Sequence, residues 1–212
     1  MNSEPRKQPA QGYALGSRGW RIGSLFGIDI CLDPSLLIIF VLIVYLLGTG
    51  VFPTWHPDWD NSTGWLVAVA AAVLFFVSLL AHEMAHALMS RRFGIGVRRI
   101  TLFLFGGVAE MEDEPREPRA EFLVAIVGPA TSLVLGLVFS SIALTMAGPG
   151  FADLLAEDSD AALASLSPLA SLLLWLGPVN TILGIFNLVP GFPLDGGRVL
   201  RAAIWWYTGD LH

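Results

Sequence analysis

The stretch GWLVAVAAAVLFFVSLLAHEMAH, residues 64–86, decides the fold of this chain because it joins an apolar run of membrane length to two histidines. No charged residue interrupts the run from Gly64 to Ala81, and a helix needs about 20 mostly apolar residues to cross a bilayer. His82 and His86 stand four positions apart, so on a helix they share one face. We therefore predict a transmembrane helix that carries a pair of imidazoles.

The composition of the chain agrees with a membrane protein. Of the 212 residues, 54% are hydrophobic and 14% are charged, whereas soluble domains are about 25% charged. The lipid bilayer is therefore an expected partner, and no nucleic-acid partner is expected. The single cysteine, Cys31, excludes an internal disulfide.

Four apolar stretches are long enough to cross a membrane, so the sequence predicts an all-α polytopic membrane protein. The stretches run from Leu36 to Phe52, from Trp65 to Met89, from Glu121 to Ala147 and from Pro168 to Val189. Residues 1–19 are polar and lack the apolar core of a signal peptide, so we interpret them as a disordered cytosolic tail. Residues 20–212 would form the membrane-embedded core.

The basic residues predict the orientation of these spans. All 12 Lys and Arg residues fall on one side if the four spans alternate. Positive residues stay in the cytoplasm, which indicates a multi-pass protein of the cell membrane with a cytoplasmic N-terminus. Arg91 and Arg92 follow His86 by five and six residues, which places the imidazoles about 8 to 14 Å below the cytoplasmic boundary. A site built on them would lie within the membrane, toward its cytoplasmic side.

A β-hairpin is expected between the second and third spans. Residues 100–111 contain two β-prone runs around Gly106-Gly107, a pattern typical of a hairpin. The segment is too short to cross as a helix and too apolar for a free loop. We predict a re-entrant β-hairpin, since non-helical backbone is tolerated at membrane depth where protein covers it. A plain surface hairpin is the alternative.

The two histidines have the spacing of a zinc site. Such a site needs three protein ligands and one open position for water. Glu83, between His82 and His86, is placed to take a proton from that water. Because His56 falls on the opposite membrane face and His212 is terminal, the third ligand is expected to be a carboxylate.

Asp195 is the carboxylate that best suits this role. It lies at membrane depth, where an ionisable residue costs free energy unless it is paired or bound to metal. Pro190 and Pro193 would break the fourth span here, and Gly196-Gly197 would let backbone pass close to the site. The alternative is that Asp195 caps the helix that begins near Gly196.

Two further sets of residues have structural interpretations. Gly128, Ser132 and Gly136 are spaced four apart, and small residues at that period favour close helix packing. We prefer that interpretation to a catalytic role. Arg198 and Arg201 are interpreted as anchors at the membrane interface.

The segment from His82 to His86, the Gly106-Gly107 hairpin and the segment from Asn187 to Arg198 together resemble the site-2 proteases. These are intramembrane zinc metalloproteases, and the likeness covers residues 18–209. The connections between spans leave no room for a PDZ insert, so the chain resembles the type without one. It stops soon after Asp195, and we expect either the protease core alone or a fragment lacking C-terminal spans or a regulatory domain.

The resemblance implies a catalytic set. His82, His86 and Asp195 would bind one zinc ion per chain, and Glu83 would be the general base. The implied reaction is hydrolysis of peptide bonds in or near transmembrane helices. Structural hydrogen bonding by the histidines and by Glu83 is the alternative for these residues.

The resemblance also implies a mode of substrate binding. Asn187 would hold the substrate or the developing oxyanion, although a simple interhelical hydrogen bond is an alternative. An unwound substrate could pair with the Gly106-Gly107 loop by adding a strand. The implied partner is a membrane-spanning protein, such as an anti-sigma factor, released by regulated intramembrane proteolysis. A metal transporter and a metal-free scaffold for membrane partners are the alternative functions.

Overall fold

The computed structural model describes residues 19–209. Its elements are, in chain order, β1 (Trp20–Leu25), β2 (Ile28–Leu32), α1 (Leu36–Leu46), a π-helical turn (Leu47–Val51), α2 (Phe52–Trp55), α3 (Asn61–Arg92), β3 (Val97–Phe103), β4 (Gly106–Met111), α4 (Pro118–Ala147), α5 (Phe151–Glu157), α6 (Ser159–Ala164), α7 (Pro168–Asn187) and α8 (Asp195–Thr208). The predicted tail at residues 1–19 lies outside the described residues apart from Gly19, and His212 lies outside them as well.

The four predicted spans are confirmed as helices that are long and apolar enough to cross a membrane. They cover Leu36–Trp55, Asn61–Arg92, Pro118–Ala147 and Pro168–Asn187. Large apolar side chains stay exposed along them, for example Leu66, Leu137 and Ile182. Such an exposed apolar surface suits contact with lipid and indicates a multi-pass membrane protein.

Helix α3 is the longest element and carries the histidine pair. Its N-cap is Asp60, whose side chain accepts a hydrogen bond from the Thr63 amide at 2.9 Å. Hydrogen bonds from Ser62 and Thr63 lower the pKa of the Asp60 carboxyl to about 2. Arg91 and Arg92 occupy the last turn, where the helix dipole favours cations.

A four-stranded sheet in the order β1-β2-β3-β4 accompanies the helices. The predicted hairpin is confirmed as the antiparallel pair β3–β4, but its turn is formed by Leu104 and Phe105, and Gly106-Gly107 begin β4. Strand β2 pairs with β3 in parallel and with β1 in antiparallel fashion. The all-α expectation thus needs a correction, because β1 and β2 join the hairpin. These strands are only 6 and 5 residues long, and their pairing with β3 comes from a distant part of the sequence. The placement of the hairpin inside the membrane stays a prediction.

The sheet packs on α3 beside the histidine pair. Ile28 and Ile100 of the sheet share a buried cluster with Met84 and Ala87 of α3. Arg91 fastens the end of α3 to the sheet, since its guanidinium donates to the Gly27 carbonyl at 3.0 Å and to the Val97 carbonyl at 2.8 Å. These contacts fix the distance between the hairpin and the motif on α3.

Helices α4 and α7 approach each other through small residues. A Cβ added to Gly136 would lie 2.3 Å from Thr181 Oγ1, and one added to Gly177 would lie 2.2 Å from Ser140 Oγ. Neither position has room for a larger side chain. The predicted packing role of the small-residue stripe is therefore confirmed at Gly136, as expected for helices that associate in a membrane.

Helix α8 is held against α4 by an ion pair. Glu121 is 1% exposed, and its carboxylate accepts a hydrogen bond from Arg201 Nε at 2.6 Å. The sequence predicts Arg201 as an anchor at the membrane interface, and this prediction does not include its contact with Glu121. Because α8 begins at Asp195, this pair also helps to fix the position of that carboxylate.

Candidate metal centre

The histidine pair lies on the buried face of α3. His82 is 2% and His86 is 7% exposed. Their ring centroids are 4.9 Å apart, and their Nε2 atoms lie 3.2 Å from each other. As the sequence predicts, the four-residue spacing places both imidazoles on one face of α3, with their Nε2 atoms close to the same point.

Asp195 approaches the same point from the first turn of α8. Its Oδ2 atom lies 3.2 Å from His82 Nε2 and 3.1 Å from His86 Nε2. The N-cap position of α8 belongs to Leu194, and Asp195 is the first helical residue. The carboxylate therefore faces the histidines and does not cap the helix, which removes the alternative interpretation.

The loop between α7 and α8 depends on glycine where it passes the site. A Cβ on Gly196 would lie 2.3 Å from the carbonyl oxygens of both Leu188 and Val189, and one on Gly197 would lie 2.9 Å from the Gly191 carbonyl. The prediction that Gly196-Gly197 lets backbone pass close to the site is confirmed. The non-helical segment between α7 and α8 brings Asp195 close to α3.

The donor set fits a zinc ion. His86 Nδ1 donates its hydrogen to the Val124 carbonyl at 2.6 Å, so in the neutral ring the Nε2 lone pair is free. His82 Nδ1 is bound by Ser132 Oγ at 2.9 Å. His82 Nε2, His86 Nε2 and Asp195 Oδ2 lie 3.1 to 3.2 Å from one another. Neutral imidazoles that carry their proton on Nδ1 would present both Nε2 lone pairs to a cation at this point. Tetrahedral bonds of about 2.0–2.1 Å would place neighbouring donor atoms about 3.3 Å apart, close to the separations found here.

Sequence reasoning missed two residues that support the histidines. Ser132 bonds the far side of the His82 ring, and a Cβ on Gly128 would lie 2.0 Å from His86 Nε2. Both were interpreted as packing residues. Ser132 lies four residues from both Gly128 and Gly136, which does place all three on one face of α4. The sequence does not show that this face meets α3 at the histidines.

The other histidines do not approach the centre in the described part of the chain. His56 lies just before the N-terminal end of α3, and its Nε2 pairs with Ser171 Oγ at 2.6 Å. It also stacks on Trp59 with ring centroids 3.7 Å apart. The prediction that His56 is not a ligand agrees with this placement, and His212 is outside residues 19–209.

Glu83 meets the hairpin next to the centre. A Cβ on Gly107 would lie 2.3 Å from Glu83 Cγ and 2.8 Å from its Oε1. Position 107 therefore requires glycine, because a side chain there would overlap the side chain of Glu83. Gly106 has a φ of +134° and open space around it, so it serves the backbone next to the turn of the hairpin instead.

All seven residues singled out from the sequence line one cavity of about 370 Å³: His82, Glu83, His86, Gly106, Gly107, Asn187 and Asp195. The Asn187 amide nitrogen donates to the Leu183 carbonyl of its own helix at 2.9 Å, so the alternative of an interhelical hydrogen bond is not what the structure has. An amide nitrogen has two hydrogens, and one remains for a ligand in the cavity.

Comparison with known proteins gives consistent matches. The sequence model of Peptidase family M50 matches residues 70–212. Rip3 of Mycobacterium tuberculosis, named as a zinc metalloprotease, is 39% identical over 189 residues, which are 89% of this chain and 44% of Rip3. A Synechocystis protein with a similar name is 38% identical over 192 residues, which are 90% of this chain and 45% of that protein.

A solved structure shares the fold as well. The site-2 protease from Methanocaldococcus jannaschii aligns with a TM-score of 0.59 and 29% identity, covering 90% of this chain and 74% of that one. The chain spans less than half the length of the two curated relatives.

Proposed function

Since the chain belongs to peptidase family M50, the family of the site-2 proteases, we propose that it is the catalytic core of an intramembrane zinc metalloprotease. The observation that carries the proposal is the convergence of His82, His86 and Asp195 with Glu83 at one cavity. The histidines lie on a helix long and apolar enough to span a membrane. The products would be a carboxylate and an amine, formed by adding water across a peptide bond.

The metal would be held by His82 Nε2, His86 Nε2 and Asp195 Oδ2. Zinc, when bound, supplies a water molecule of lowered pKa and polarises a peptide carbonyl. Glu83 would take a proton on a carboxylate oxygen from the attacking water and pass it to the leaving amine nitrogen. The lack of a side chain at Gly107 leaves room for the Glu83 carboxyl group at the cavity wall, where both transfers would occur.

The substrate would bind as an added strand. Among residues 19–209, β4 is the last strand of the sheet, so its outer edge is available for pairing. Its residues Gly106 to Ala109 line the cavity beside Glu83. A helical substrate has its carbonyl groups engaged, whereas an unwound one can pair with such an edge and present a peptide bond. Asn187 would donate to the substrate or to the oxyanion that forms.

The membrane setting is part of the same proposal. The N-terminus would be cytoplasmic, the hairpin re-entrant and the centre nearer the cytosol, because Arg91 and Arg92 end the helix that carries the histidines. The substrate would be a membrane-spanning protein such as an anti-sigma factor. Cleavage would release its soluble part, which is regulated intramembrane proteolysis.

Substitution of Glu83 by Gln tests the proton-transfer role. The purified protein, in liposomes with zinc, is given single-span test substrates that contain a helix-breaking residue. We expect the wild type to cleave at least one substrate, and we expect Glu83→Gln to lose cleavage by about 100-fold or more while it keeps its zinc. Retained cleavage by the variant would contradict the role of Glu83.

A further inference from the structure

Arg198 has surroundings that the proposed chemistry does not use. It stands one turn after Asp195 on α8 and lines the same cavity. It is partly buried, and within residues 19–209 its guanidinium has neither a hydrogen bond nor an ion pair. Arg201, one turn further along, pairs instead with buried Glu121. Two arginines on one helix thus differ in that one is paired within the described residues and the other is not.

An unpaired guanidinium at this position is costly. Leu183, Pro193 and Leu194 line the same cavity as Arg198, and a partly desolvated cation gains free energy from a counter-charge. Neither acidic group of the cavity pairs with Arg198, because Asp195 faces the histidines and Glu83 packs beside Gly107. A ligand that carries a negative charge or a polarised oxygen would supply the missing counter-charge within the cavity.

We propose that Arg198 is a substrate-binding residue that takes the oxygen of the scissile carbonyl and, after hydrolysis, the new C-terminal carboxylate of the product. The inference rests on the proposed function. Residues three apart on a helix lie on the same face, so the side chains of Asp195 and Arg198 address the same part of the cavity. A guanidinium is a planar fork of N–H donors that matches a carboxylate with two parallel hydrogen bonds.

A binding experiment with paired peptides tests this role without requiring turnover. The zinc-loaded protein in detergent is titrated with a fluorescent apolar peptide that ends in a free carboxylate, and with the same peptide ending in an amide. We expect the wild type to bind the carboxylate form about 10-fold or more tightly than the amide, the size of a charge-assisted hydrogen bond. Arg198→Gln should lose most of that preference.

Two further variants define the mechanism of the preference. Arg198→Lys keeps the charge but lacks the fork, so it should retain a smaller preference than the wild type. Arg116→Gln is the matched control, because it removes one positive charge from an exposed loop residue whose side chain is 86% accessible. It should discriminate between the two peptides as the wild type does.

Three results would overturn the role of Arg198. One is equal binding of the two peptides by the wild type, and another is an unchanged preference in Arg198→Gln, as an anchor at the lipid interface would give. The third is loss of zinc from Arg198→Gln, which would mean that Arg198 acts by holding Asp195 in place. Zinc content and Glu83-dependent cleavage test the proposed function separately, so a protease without carboxylate preference would reject this inference alone.

Discussion

The two halves of the candidate metal centre are built in different ways. His82, Glu83 and His86 come from little more than one turn of α3, so the helix itself sets their separation. Asp195 lies 113 residues after His82 in the sequence. The loop between α7 and α8 and the position of α8 place its carboxylate beside the histidines. The first half is local and needs only the helix. The second half depends on every contact that holds α8 in place, which makes it the more vulnerable half.

Loss of the Glu121–Arg201 pair should have the largest effect on the position of Asp195, because this pair holds α8 against α4. Arg201→Met would leave a carboxylate that is 1% exposed without its partner, and loss of one member of a buried pair costs about 3–5 kcal/mol. We expect a large drop in the thermal midpoint in detergent and a loss of zinc affinity. The double variant with Glu121→Gln should recover much of both, because it removes the buried charge. No recovery in the double variant would contradict an electrostatic cause.

A substitution at Gly196 should disturb the position of Asp195 to a smaller degree. Gly196→Ala would place a methyl group against two backbone carbonyls of the loop, and overpacking of this kind costs about 1–3 kcal/mol. We expect zinc affinity to fall because Asp195 is the preceding residue. Gly191→Ala is the matched control, since an added Cβ there meets nothing within 4 Å. Equal metal binding by the two variants would show that the close approach at Gly196 is dispensable.

A substitution at Ser132 should have the smallest effect, because it changes only a contact of His82 and leaves the histidines on α3. Ser132→Ala removes the hydrogen bond to His82 Nδ1 but leaves both histidines on their helix. Loss of such a supporting bond lowers metal affinity by about 10-fold, and we expect little change in thermal stability. Ser141→Ala, at an exposed position of the same helix, should leave the affinity unchanged. A competition titration with a zinc chelator measures both, and equal affinities would contradict a role for Ser132.

The same division explains how much of the site the sequence could reveal. The spacing of His82 and His86 is a local property, so their shared face follows from helix geometry. Asp195 could be found because a carboxylate at membrane depth is rare and because prolines break the chain before it. Ser132 and Gly128 could be placed on one face of α4, but what that face meets depends on the packing of α3 against α4.

The fold shows the same contrast between local and distant information. The four spans follow from long apolar runs, and the β3–β4 hairpin follows from two β-prone runs, although the turn lies at Leu104-Phe105 and not at the glycines. Strand β1 is exposed along its whole length, so burial gives it no alternating pattern, and β2 is held by a strand about 70 residues away in sequence. The Glu121–Arg201 pair likewise joins residues 80 positions apart. Neither feature has a local signature.

The centre formed by His82, His86 and Asp195 is tested most directly by the zinc content of the detergent-purified protein, with wild type and Asp195→Ala measured side by side. We predict one zinc ion per chain in the wild type and a sharp loss in the variant, since three donors are needed to hold the ion firmly. Glu83→Gln should keep its zinc in the same experiment. Zinc retained in full by Asp195→Ala, or no zinc in the wild type, would contradict the centre formed by His82, His86 and Asp195.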